Sequence, residues 1–281
     1  PTEDLMPLMP YHRESRRTHG EVRFQLNHVI APYDYTLYRT AIGVGDYPVD
    51  QHHTRYTGWE ALPNLYFHSV PSYGVPMGVL LPKGVDGLIV AEKSISVSNL
   101  VNGSTRLQPV VLQIGEAAGI VAALAAKQGI EPREVSVREV QREVLEGGGY
   151  LLPYLDLPAT HPHFKALQRI GVTGIIEGEG MTVGWENQTW FKADEPISLA
   201  ELSRGLNRFD EQFAVSNEQR EVALTDLENW FGEINDAMWN AWGLEDYSTT
   251  RPLTRKECAV VMDALLRPFN NQVNLQGEFI R

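Results

Sequence analysis

The stretch 102-NGSTRLQPVVLQIGEAAGIVAALAAKQG-129 decides how the rest of the chain is read. Pro109 suits the first turn of a helix, where its missing N–H has no bond to lose. Gly129 is the expected stop. Between them Gly115, Ala117, Ala118, Gly119, Ala122, Ala123 and Ala126 leave little side-chain bulk around much of the axis. Such a helix lets another backbone, or a flat ligand, come very close. A helix start also offers unpaired N–H groups and the positive end of the dipole, which suit an anionic or carbonyl group. Arg106, just upstream, adds a charged hydrogen-bond donor. The alternative is a close helix–sheet contact with Arg106 at the surface.

Around this helix the chain has the composition of a packed protein. Hydrophobic residues are 43% and charged residues 21% of the 281, which predicts an ordered core and about two domains. The net charge of -12 argues against neutralising nucleic-acid phosphates or anchoring to an anionic membrane surface. The longest apolar run, around Gly119 to Ala126, is too short and too rich in Ala to predict a membrane span. Cys258 is the single cysteine, so no disulfide within the chain and no cysteine-based metal site is expected. Its place in an apolar helical pattern reads as core rather than nucleophile.

Upstream, 21-EVRFQLNHVI-30 alternates and reads as a strand. The segment 64-NLYFHSVPSYGVPMGVLLP-82 reads as short strands broken by Pro and Gly, and 83-KGVDGLIVAEKSIS-96 as a turn followed by a buried strand, Leu88 to Ala91. Downstream, 132–149 holds a second helix, opened by Ser136-x-x-Glu139, a capping box. Gly147, Gly148 and Gly149 mark a domain boundary. After them the pattern turns helical. Capping boxes are predicted at Ser198-x-x-Glu201, Thr225-x-x-Glu228 and Thr254-x-x-Glu257, and a helix is predicted over 162–170 from Pro162. The lead-ins 196-PISLAEL-202 and 252-PLTRKEC-258 start 56 positions apart and suggest an internal repeat.

Four motifs, in order, resemble the C-terminal end of a bacterial FAD-dependent oxidoreductase family: 13-RESRRTHG-20, 46-DYPVDQHH-53, 80-LLPKGVDGLIVAEKSIS-96 and 103-GSTRLQPVVLQIGEAAGIVAALAAKQG-129. The family is of the two-dinucleotide-binding flavoprotein type, often encoded beside polysaccharide-degradation genes. The resemblance covers about residues 11 to 146. It implies FAD as cofactor, with contacts from Ser104, Thr105 and Arg106 and from the Gly115, Glu116, Ala117, Ala118 and Gly119 segment. The chain has no G-x-G-x-x-G fingerprint, which FAD pyrophosphate binding in such a fold needs. The expectation is therefore a C-terminal fragment, or a chain that pairs with a missing N-terminal FAD-binding portion. Two positions depart from the family pattern: Glu92-Lys93 replaces its Gly-Arg, and Pro76-Met77-Gly78 replaces its Pro-Tyr-Arg.

Flavin carries the redox chemistry itself, and protein groups position substrate and move protons. His52 and His53 are the catalytic candidates, because imidazole titrates near neutral pH. Adjacent residues on a strand point to opposite faces, so the pair is not expected to share a metal. Arg13, Arg16 and Arg17 could bind an anionic substrate group or form a solvated surface. His161-Pro162-His163 reads better as the start of a helix than as a metal site.

The remainder, 154-YLDLPATHPHFKALQRIGVTGIIEG-178 and 190-WFKADEPISLAELSRGLNRF-209, resembles an S-layer homology module, with a weaker copy from about Leu224 to Phe269. The alternative there is a helical appendage packed on the flavin domain. The expected fold class is α+β: an incomplete FAD-oxidoreductase-like domain of mixed sheet and helix over 1–149, then a small mainly α-helical domain over 150–281. The expected function is hydride transfer between an organic substrate, carbohydrate-related among the options, and flavin. The alternative is a non-catalytic carbohydrate or cell-envelope-binding protein with a degenerate flavin site. The resemblance implies a bacterial source and leaves the compartment open, periplasmic or secreted included.

Overall fold

The computed structural model describes residues 16–50, 69–184 and 186–280. The chain is a mixed α and β structure. The first half contains α1 (Leu26–Ile30), β1 (Ala41–Gly45), β2 (Tyr73–Pro76), α2 (Asn99–Thr105), α3 (Gln108–Gln128) and α4 (Val137–Glu146). The second half contains α5 (Phe164–Thr173), β3 (Glu179–Val183), β4 (Glu186–Trp190), α6 (Leu199–Phe209), α7 (Leu224–Phe231), α8 (Asp236–Ala241) and α9 (Arg255–Leu266). Two antiparallel two-stranded sheets form, β1–β2 and β3–β4. In the first, Val44 lies opposite Gly74 and the register shifts between Ala41 and Val44.

Helix α3 starts and stops where Pro109 and Gly129 predict. Gly129 ends it in the left-handed conformation, φ 67°, and its N–H donates to Ala125 O. Val110, Ile114, Ala117, Val121 and Ala125 form the buried stripe, which packs against β1 and α4. The helix is longer than the apolar run suggested. It has 21 residues, mean hydropathy reaches 1.7 over an 18-residue window, and only 28% of that window is buried. By length and composition alone it could cross a membrane, yet one face is packed as a core helix.

The halves share one apolar core that runs from Val22 to Val273. The C-terminal residues return to the first half, and arginine side chains hold them there. Arg39 donates to Gly277 O, Arg138 to Asn271 O and Arg142 to Phe269 O. Arg138 is fully buried with no carboxylate partner among the described residues, and burial lowers its pKa to about 9. Backbone carbonyls and the Gln141 amide oxygen take its protons instead.

Several expectations are corrected. Residues 21–30 are not one strand. Val22 and Phe24 are buried because an extended segment lies against residues 78–82 and 96–98, with Phe24 N–H donating to Ser96 O at 2.9 Å. After Gln25 the chain turns into α1, where Gln25 N–H donates to His28 Nδ1. Leu88 to Ala91 is neither a strand nor buried, and Leu88 is 47% exposed. Among the described residues no strand lies beside it. Val90 N–H reaches Leu80 O, and Gly87 N–H reaches the Glu131 carboxylate. The helix expected from Pro162 starts at Phe164. Thr225 caps nothing: α7 starts one residue earlier, and Asp226 accepts from Ala223 N–H. The side-chain caps at Ser136, Ser198 and Thr254 form, but only Thr254 completes the predicted capping box, with Glu257 accepting from Thr254 N–H. The two repeat lead-ins also meet, with Pro196 and Thr254 bridged antiparallel.

Candidate functional site

The structure separates the predicted cofactor residues into two groups. Ser104, Thr105 and Arg106 lie at the corner between α2 and α3, all buried. Ser104 Oγ donates its only proton to Tyr47 O at 2.5 Å. The 2.5 Å contact from Tyr73 therefore has the phenol as donor. Burial pushes the Tyr73 hydroxyl well above its ordinary pKa, which keeps that proton in place. Thr105 Oγ1 donates back to Val101 O. Arg106 Nη2 donates to Asp50 O at 3.0 Å and meets Asp50 Oδ2 at 3.3 Å. Ser104 and Arg106 hold segment 47–50 against the helix corner, while Thr105 bonds only within α2.

The second group is open. Gly115 and Gly119 lie on the solvent side of α3, and a Cβ placed on either would meet nothing within 4 Å. Glu116 is exposed too, Ala118 is half-buried, and Ala117 belongs to the buried stripe. Leu112, one turn before Gly115 to Gly119, is 73% exposed. The segment is seven residues inside the helix, not at its N-terminus. Its N–H groups are spent on helical bonds, so dipole and free N–H groups are not what it offers a ligand. Apart from the exposed Glu116 carboxylate, it offers a flat, apolar, sterically open surface. A groove of about 570 Å³ continues it, between Gly87–Ile89 and the small residues Ala122 and Ala126.

Glu92 carries a further mark of the family pattern. Its φ is 65°, in the left-handed region that favours glycine. A glycine in the family's pattern fits this backbone without strain. Asn102 Nδ2 fixes the next residue through Lys93 O at 3.0 Å. His52, His53 and Arg13 lie outside the described residues. Arg16 is exposed and Arg17 half-buried. His161 and His163 are half-buried, with ring centroids 5.8 Å apart, and His161 Nδ1 accepts from His163 N–H. Burial lowers both imidazole pKa values, which favours the neutral rings. Cys258 is fully buried, and burial pushes its thiol up, as a core role requires.

Sequence reasoning missed how strand β1 is fixed near the start of α3, by Gln113 within the first half and by Asn187 from the second. Gln113 Oε1 accepts from Val44 N–H at 2.9 Å, while its Nε2 donates to Val44 O and Pro109 O. Asn187 Nδ2 donates to Asp46 O at 2.6 Å, and Ser72 Oγ to Asn187 O at 3.1 Å. Apart from the Gln113–Pro109 bond, these span 69 to 141 positions, so no local pattern announces them.

A partly open first half with a small-residue helix and a glycine-type turn matches the flavoprotein motifs read from the sequence. The profile of the FAD dependent oxidoreductase family matches residues 4–144. The chain belongs to that family. No curated protein and no solved structure matches it.

The residues present fit FAD in part. The open Gly115–Gly119 face accommodates a flat ring at close range, as an added Cβ there would project into free space. Nothing comparable serves the pyrophosphate, because the chain has no G-x-G-x-x-G loop.

Proposed function

We propose that this chain is the C-terminal portion of an FAD-dependent oxidoreductase that transfers hydride between an organic substrate and flavin. One observation carries the reading beyond family membership: α3 is apolar on nearly all sides, yet its outer face is uncovered. A helix apolar all round belongs inside a protein. The cover proposed is the flavin together with a cofactor-gripping portion outside these 281 residues, in the same polypeptide or another chain. The exposed Leu88–Ala91 segment and the adjoining groove would be covered by the same portion.

When bound, FAD supplies the hydride acceptor. The chain's own residues then have three roles. Gly115 and Gly119 permit close approach. Tyr73, Ser104 and Arg106 fix segment 47–50. That segment leads into His52 and His53, which we propose as the proton-handling pair. Arg106 thus acts on the site by holding Asp50, and not as a cofactor ligand. The S-layer-like reading of the tail rests on sequence resemblance alone.

The test is the absorbance spectrum of the full-length gene product beside this chain, each purified with added FAD. The two flavin bands in the longer protein alone are expected. Bands in neither would overturn the reading.

A further inference from the structure

We propose that the cavity between β1, the first turn of α3 and residues 150–158 is a binding site for a small organic cation, an ammonium group on an apolar body. The cavity is about 360 Å³. It is distinct from the open face of α3 and does not depend on flavin. Its wall comes from both halves: Val44, Asp46 and Val110 from the first, Tyr150, Pro153 and Leu155 from the second.

Three observations point to this ligand. The wall is preorganised, because Gln113 pins Val44 from α3 and Asn187 pins the Asp46 carbonyl from β4. Little ordering is then left to do on binding, which lowers its cost. The lining is mainly apolar, so it suits a hydrocarbon body. The one ionisable acid in the lining is Asp46, which stands at the solvent-exposed mouth. Among the described residues its carboxylate pairs with no cation, and partial burial raises its pKa. A carboxylate partly stripped of water beside an apolar slot is best matched by a ligand cation that restores the missing charge partner. Tyr150 assists. Its oxygen accepts from Ala159 N–H at 2.9 Å and keeps a further lone pair, which an ammonium N–H can use. A sugar fits less well, since it needs several polar partners and the slot offers few.

Benzylammonium is the probe, and benzyl alcohol its uncharged counterpart of the same shape. Calorimetric titration of the whole chain at neutral pH should show one site for benzylammonium, with the alcohol about tenfold weaker or worse. Asp46→Asn, at an exposed position, should remove the preference and leave the melting temperature unchanged. Leu155→Lys, at the exposed rim, should weaken the ammonium several-fold by putting a like charge at the mouth. Equal binding of both probes, benzylammonium affinity unchanged in Asp46→Asn, or no binding at millimolar concentration would each overturn the proposal. None of these outcomes depends on flavin.

Discussion

Helices α3 and α6 solve opposite problems. Helix α6 opens on a Ser198 cap, buries Leu199, Leu202, Leu206 and Phe209, and turns Arg204 and Arg208 outward. It needs nothing beyond the chain to be covered. Helix α3 has no side-chain cap, buries one narrow stripe, and shows small and apolar residues to solvent. Both contain glycine, for different reasons. In α6, a Cβ at Gly205 would collide with the backbone carbonyl of Ile175. In α3, a Cβ at Gly115 or Gly119 would meet nothing. A glycine that an internal neighbour requires is structural. A glycine with open space beside it, in a helix where Ala is favoured by about 1 kcal/mol, points to something outside the chain.

The same substitution should therefore have opposite signs in the two helices. Gly205→Ala should destabilise the chain by about 3 kcal/mol, since a backbone carbonyl cannot move aside cheaply. Denaturant titration measures it, and a loss below about 1 kcal/mol would break the contrast. Next in size is Arg255→Ala. Arg255 donates to Phe191 O, Glu177 O and the Glu201 carboxylate at 2.5 to 2.7 Å. Removing it should cost about 2 kcal/mol by leaving buried carbonyls unpaired.

Two smaller effects sharpen the reading of the first half. Glu92→Gly should stabilise by about 1 kcal/mol, because it relieves a left-handed residue that has a Cβ. Gly119→Ala should also stabilise the isolated chain, by about 0.5–1 kcal/mol, while weakening flavin retention in the longer protein. The smallest effect is a pH response. The Arg220 guanidinium beside Asp226 holds that carboxyl below its ordinary range. The stability this contributes is present above the unfolded-state pKa of about 4 and is lost as pH falls through the lower folded value. Melting curves from about pH 6 to pH 3 should fall less steeply for Asp226→Asn than for the parent.

What was legible in the sequence follows physical range. The ends of α3 and the caps at Ser136, Ser198 and Thr254 are local chemistry, written within four residues. The strand expected at Leu88–Ala91 was not legible. An apolar run becomes a strand only when another strand lies beside it, and among the described residues none does. The same limit applies to the candidate site. The open glycines were visible as a composition. The clamps made by Gln113, Asn187 and Tyr73 join distant positions and carry no local signature. Arg106 was recognised as a charged group near the helix, but its partner Asp50 lies 56 positions away and decides what it does.

The central claim is that the outer face of α3 is a flavin surface. Gly119→Leu tests it most directly, because the position has room for the side chain in this chain alone. The account predicts a melting temperature no lower than the parent's for Gly119→Leu in this chain alone, and loss of the visible flavin bands in the full-length product. Full retention of those bands in Gly119→Leu would contradict it.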